Sequence, residues 1–156
     1  MPWLFKTEPG TFSFADLLAA PGRATLWEGV RNYEARNLLR VARALDPVLV
    51  YHSSTHPPGV AGLAVVVRGA EPDPTQFDPA SPYYDPKAAP DAPRWDAVTV
   101  RAVAAGRYVT LAELRATPEL SGLRLLRRGN RLSVMPVSGA EFGVILKLAD
   151  LPDPEK

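Results

Sequence analysis

The chain has 156 residues, 46% hydrophobic and 22% charged, with a formal net charge of +1. That length fits one domain, residues 1–156, that can bury a core without staples. The small charge is not that of a strongly basic nucleic-acid binder, and the absence of cysteine excludes disulfides, thiolate metal sites and a cysteine nucleophile.

No apolar run approaches the roughly 20 residues of a membrane span, and the N-terminus lacks a signal-peptide core. A cytoplasmic protein with no membrane partner is expected. Charge distribution is more informative than net charge. Arg124, Arg127, Arg128 and Arg131 form one local basic cluster, and Arg31, Arg36, Arg40 and Arg43 form another.

Trp3-Leu4-Phe5-Lys6 reads as a short strand closed by Glu8-Pro9-Gly10. Ser13 and Asp16 have capping-box spacing. Phe14, Leu17 and Leu18 follow at helical spacing until Pro21-Gly22. After Trp27, the positions Ala35, Leu38, Leu39, Ala42 and Leu45 predict one helix with a buried face. Arg36, Arg40 and Arg43 fall on its opposite side, for which a solvated surface is the plain account. Asp46-Pro47 stops that helix.

Val48 to His52 and Val60 to Val67 are strand-like, joined by a polar, proline-broken loop. Ala61, Gly62 and Ala64 leave room in the second strand for a ligand or another backbone. Gly69 to Trp95 carries seven of the 17 prolines. It is too long for a plain connection and too rich in aromatics for disorder, so an ordered loop wrapped over the body is expected.

Ala97 to Val103 alternates as a half-buried strand. Thr110 and Glu113 form a capping box, and Thr117-Pro118 opens a further turn. Arg131 to Val137 reads as a strand, Ser138 and Glu141 cap a brief helical turn, and Val144 to Leu148 reads as the last strand. About six strands interleaved with short helices predict an α+β, mainly β, antiparallel and partly closed barrel.

His52 and His56 have no third ligand at a useful spacing, so no metal site is expected. Ser53 lacks a nucleophile-elbow glycine pattern. No nucleotide-cofactor motif is present, and no cofactor is expected. What remains is a set of aromatics and amides with guanidiniums nearby. A base held out of a stack needs a π-face, hydrogen-bonding groups for its edge, and cations for its phosphates. Trp27, Asn32, Tyr51, Ser53 and Trp95 can supply the first two, and Arg31, Arg36, Arg127, Arg128 and Arg131 the third. Core packing is the competing account for each aromatic, and it is the assignment made for Trp3 and Phe5.

The runs Trp3 to Pro9, Trp27 to Asn37, Tyr51-His52-Ser53, Phe77 to Lys87, Pro93-Arg94-Trp95 and Leu126 to Val134 together resemble the EVE domain family. The resemblance spans about residues 2 to 148. It implies a PUA-like pseudo-barrel, related in shape to YTH and ASCH domains, that reads modified nucleobases, chiefly 5-methylcytosine and its oxidised forms. It also implies a pocket lined by the segment from Trp27 through Val30 and Asn32 to Arg36, by Tyr51, His52 and Ser53, and by Gly62, with Arg127 to Ser133 near its mouth. Glu28 stands where many relatives carry aspartate, and Phe142 where relatives often show tryptophan.

The expectation is a monomeric, non-catalytic module that captures one modified pyrimidine of DNA or RNA. Trp27, Val30, Asn32, Tyr51, His52, Ser53, Gly62 and Trp95 would contact the base, and Arg31, Arg36, Arg127, Arg128 and Arg131 the phosphates. Three alternatives stand beside it: a nucleobase or nucleotide enzyme using His52 or Glu8, an RNA-binding module without modification specificity, and a protein- or metabolite-binding module.

Overall fold

The computed structural model describes residues 1–154. In chain order the described residues form β1 (Trp3–Thr7), α1 (Phe14–Ala19), β2 (Ala24–Trp27), α2 (Tyr33–Leu39), β3 (Pro47–His52), β4 (Gly59–Pro72), β5 (Asp96–Ala104), β6 (Val109–Thr110), α3 (Leu111–Arg115), β7 (Val134–Pro136) and α4 (Gly139–Leu148). All seven strands join one sheet in the order β2-β5-β4-β3-β1-β7, with β6 beside β4.

The chain is therefore α+β and mainly β, as expected, but the sheet is mixed and open rather than a closed barrel. β1 and β3 run parallel, from Trp3 opposite Val48 to Thr7 opposite His52. A parallel pair needs a long crossover; here α1, β2 and α2 supply it. This central pair sets the geometry of everything that follows, because both strands end together at Thr7 and His52. β4 is 14 residues long and bends past β5 through three register shifts.

Three sequence expectations are corrected. The helix after Trp27 ends at Leu39, not Leu45. Val41 and Ala42 close tight turns onto Leu38 and Leu39, and Leu45 is 83% exposed at φ 76°. Its place on the helical face was a coincidence of spacing. Val144 to Leu148 is not a strand but the second half of α4, whose buried Phe142, Ile145, Leu146 and Ala149 recur with helical period. The Ser138 capping box therefore opens a full helix rather than a single turn. β7 begins at Val134, and residues 131–133 are irregular. β2 and β6 had no alternation long enough to reveal them.

The segment after β4 is ordered, as its aromatics predicted. Asp73 caps a 3₁₀ turn at Pro74–Phe77, and Gln76, fully buried, holds both ends of the loop. Its amide donates to the Asp73 and Trp95 carbonyls at 2.7 and 2.8 Å and accepts from the Arg94 and Trp95 N–H groups at 2.8 and 3.0 Å. All four bonding positions of that amide are filled. No helix among the described residues is long and apolar enough to cross a membrane.

Candidate nucleic-acid interface

The Trp27 to Asn37 run and the proline-rich loop are two sides of one contact. The Asp73 carboxylate, fully buried, accepts from the Gly29 N–H at 2.8 Å, Arg31 at 3.0 Å, and the Thr75 N–H and hydroxyl at 2.8 and 2.6 Å. Burial alone would raise its pKa, but these bonds, led by the Thr75 hydroxyl, outweigh that and hold it below the usual carboxylate value. Gly29 sits at φ 87°, and a Cβ there would lie 2.7 Å from the Tyr83 ring. Only glycine fits this close approach. Glu28 is raised by partial burial and by the Asp73 charge.

Arg31 is an anchor of this contact, not a phosphate ligand. Its Nε and one terminal nitrogen donate to the Tyr83 carbonyl at 3.1 and 2.8 Å. The remaining donors go to the Val30 carbonyl, Asp73 and the Thr75 hydroxyl, each at 3.0 Å. A guanidinium has five N–H groups, and all five are taken. Trp95 is corrected likewise. It is buried, its ring stacks on Tyr33 at 4.7 Å, and its indole N–H donates to Asp85 at 2.8 Å. Neither face nor edge is set out for a base. Arg36 lies over the Tyr33 ring at 4.7 Å and donates to the Arg94 carbonyl at 2.8 Å and to Asn37, so it also serves the loop.

Of the other expected base contacts, Tyr51, His52 and Ser53 lie at the shared end of β1 and β3. Trp27, the last residue of β2, packs its ring against Phe5 at 5.6 Å and edge-on to Phe12 at 6.3 Å. It is 7% exposed, yet its indole N–H bonds to no described residue. Among the described residues no side-chain nitrogen or oxygen is both enclosed and unpartnered, so this donor opens to the surface. Val30 is buried in the core cluster.

The Ser53 N–H and hydroxyl both point to the Thr7 carbonyl, at 2.9 and 3.4 Å. His52 Nε2 accepts the Phe14 N–H at 3.0 Å, which fixes it as the unprotonated nitrogen, and burial lowers its pKa. The proton of the neutral ring then sits on Nδ1. Gly62 is small for a different reason than expected. A Cβ there would lie 2.4 Å from the Phe14 ring, so the space belongs to α1 and not to a ligand. Tyr51 is buried, and burial raises its pKa, with Tyr108 adding to the rise and Arg115 opposing it.

A groove of about 360 Å³ runs from Asn32 to Leu132, lined also by Arg124, Arg127, Arg128 and Arg131. Arg124 is paired with Glu34 at 2.5 Å. Among the described residues the exposed side chains of Arg127, Arg128 and Arg131 have no partner. The Asn32 side-chain oxygen caps α2 by accepting the Ala35 N–H at 2.9 Å, which leaves its amide hydrogens free to donate. The chain that lines the groove runs on to β1, where the Ser133 carbonyl just beyond Leu132 accepts the Lys6 N–H at 2.8 Å.

A larger groove of about 730 Å³ lies elsewhere, between Ala42 to Ala44 and Arg68 to Pro72. There Arg40 is paired with Asp96, so part of its charge is neutralised. Asp73 and Gln76 escaped the sequence reading. An aspartate before Pro74 is a capping signal, but nothing local shows that it receives an arginine 42 residues away.

An open, mixed sheet, a loop pinned across one side, and a guanidinium-lined groove beside the start of α2 define a small ligand-binding module with an anion-attracting mouth. The chain belongs to the EVE domain family, whose model matches residues 2–148. It is similar to human thymocyte nuclear protein 1, at 39% identity over 166 residues covering 95% of this chain and 73% of that protein. Among solved structures it is similar to a Pseudomonas syringae protein, with TM-score 0.92, 41% identity and coverage of 96% and 99% of the two chains. It is also similar to human THYN1 protein solved in complex with 5-methylcytosine containing DNA, with TM-score 0.90, 38% identity and coverage of 97% and 99%.

Proposed function

We propose that this chain is a non-catalytic nucleic-acid-binding module that takes one modified pyrimidine, of the 5-methylcytosine type, out of its stack and into the sheet end. The observation that carries the reading is the groove. Three unpaired guanidiniums, Arg127, Arg128 and Arg131, line it with Asn32, and the chain beyond Leu132 is bonded to β1 through Ser133 and Lys6. A phosphodiester strand supplies the missing counter-charge. The solved complex of the similar human THYN1 protein with 5-methylcytosine containing DNA supports the choice of ligand. At the sheet end, Trp27 offers an indole N–H, Asn32 amide hydrogens, His52 its Nδ1–H, and Ser53 a hydroxyl, all suited to the polar edge of a flipped base.

The enzymatic alternative has weak support. His52 is committed through Nε2 to the Phe14 backbone, and Glu8 is an exposed acid whose neighbour is the Ser54 hydroxyl at 3.4 Å. The deciding measurement is binding to oligonucleotides that differ only in the modification of one cytosine. Tighter binding to the modified strand, without turnover, is expected. Equal affinity for all strands would remove modification reading and leave general nucleic-acid binding. Replacing Trp27 by Phe keeps most of the packing and removes the indole donor. A fall of roughly 2- to 10-fold in affinity is expected if the indole N–H meets the base, and Trp27→Ala, which also removes the ring, should cost roughly 5- to 150-fold.

A further inference from the structure

Lys6 belongs to the sequence run that opens β1, and the site described above gives its side chain no task. It is half-buried, and among the described residues its ammonium has neither an ion pair nor a hydrogen bond. A cation withdrawn from water without a counter-charge is costly. Burial accordingly lowers its pKa, with no opposing carboxylate.

Lys6 stands opposite Tyr51 in the parallel register. Side chains opposite one another project from the same sheet face, which is the face away from Phe5 and His52. Tyr51 is 3% exposed, and its hydroxyl bonds to no described residue. Because no enclosed side-chain oxygen among the described residues lacks a partner, that hydroxyl is aimed at an opening. Val60 lies opposite Tyr51 on one side and Val109 of β6 on the other, and β6 runs straight into α3, which ends at Arg115; the Arg115 charge opposes the rise in the phenol's pKa. The Arg115 side chain is exposed and unpartnered among the described residues. Tyr108, the other neighbour, is already engaged, since its hydroxyl donates to the Pro57 carbonyl at 2.6 Å.

The order of these groups is set by the sheet. Residues 131–133 flank β1 on one side, through the Ser133 carbonyl and the Lys6 N–H. Tyr51 flanks it on the other, and Arg115 lies beyond. Neighbouring strands are about 4.8 Å apart, so the row crosses the sheet end in short steps. We propose that Lys6, Tyr51 and Arg115 form a second phosphate-binding point, which continues the arginine groove across the ends of β1 and β3 and takes a further backbone phosphate of the bound strand. Two cations and a phenol hydroxyl match the charge and the acceptor oxygens of one phosphodiester. The proposal rests on the nucleic-acid reading and extends it from a captured base to the path of its strand.

The test compares two probes: an oligonucleotide with one 5-methylcytosine, and free 5-methyl-2′-deoxycytidine, which has no phosphate. Replacing Lys6 and Arg115 together by Gln is expected to weaken oligonucleotide binding about tenfold, the worth of one charge-assisted hydrogen bond. The fall in affinity between 50 and 200 mM salt should shrink by about threefold for each phosphate left without its cation. Binding of the nucleoside should not change, and Lys6→Arg should retain oligonucleotide affinity. Arg115→Gln, at an exposed position, keeps the test valid if Lys6→Gln fails to fold. Unchanged oligonucleotide affinity and salt dependence in a folded variant would overturn the second point and leave the base-reading proposal standing. A wild-type protein that binds no oligonucleotide would overturn both.

Discussion

Arg31 donates to Asp73 at 3.0 Å, and that carboxylate is fully buried while the guanidinium keeps 21% of its side-chain exposure. The bond joins the segment after β2 to the loop after β4. Removing either partner leaves a charge without its counterpart. Asp73→Ala is expected to cost about 3–5 kcal/mol, read as a lower urea midpoint. A midpoint within error of the wild type would show that the loop does not depend on this pair. The same carboxylate makes stability depend on acid. Its folded pKa lies below the unfolded one, so its contribution is present above about pH 4 and is lost as pH falls through the folded value. That component of acid sensitivity should be missing from Asp73→Asn.

Arg127, Arg128 and Arg131 give up no partner in the folded state when they are replaced. Changing any one of them to Gln should leave the thermal midpoint within about 1–2 °C, since unpaired surface changes stay within roughly ±0.5 kcal/mol each. The slope of log affinity against log salt should fall by about 0.7–0.9 for each phosphate that is no longer neutralised. Arg31→Gln should do the reverse, lowering stability while leaving that slope nearly intact. A triple variant with an unaltered slope would place the phosphates elsewhere.

His52 links α1 to the sheet by accepting the Phe14 N–H, and a protonated Nε2 cannot accept. Its folded pKa is lowered by burial. Above the unfolded value of about 6.5, both states are neutral and there is no penalty. As pH falls below that value, the unfolded chain gains a proton that the native chain refuses, and stability drops until the folded pKa is reached. Denaturant midpoints measured from pH 8 to pH 5 should show this decline, and His52→Gln should flatten it.

Gly62→Ala is a single methyl placed against the Phe14 ring, where the Cβ would lie 2.4 Å away. The Phe14 ring is buried and must shift to make room, so a cost of about 1–3 kcal/mol is expected, as for other overpacked cores. Phe14→Leu in the same chain should recover part of it. Neutral behaviour of Gly62→Ala would mean that the strand leaves free space there, as a ligand pocket would require.

The sequence alone determined the local elements whose signals are short and chemical. The three capping boxes at Ser13, Thr110 and Ser138 are all present, because a hydroxyl three residues before an acid needs no distant partner to close the box. β1, β3 and β5 were legible from alternation and β-branched residues, and the ordered loop from its aromatics. The family runs also carried the fold class.

Tertiary structure decided what those runs do. Arg31 and Trp95 resemble ligands because guanidiniums and indoles suit nucleic acid. Their donors are instead claimed by Tyr83, Asp73 and Asp85, residues that no spacing rule brings near. Val144 to Leu148 has the composition of a strand, but its burial follows a helical period. Gly62 promised space that Phe14 fills. In each case the side chain's own chemistry was visible in the sequence, but its partner came from packing between distant segments: the loop after β4 against the segment after β2 for Arg31 and Trp95, and α1 against β4 for Gly62. There burial and hydrogen-bond satisfaction, not local propensity, assign the roles.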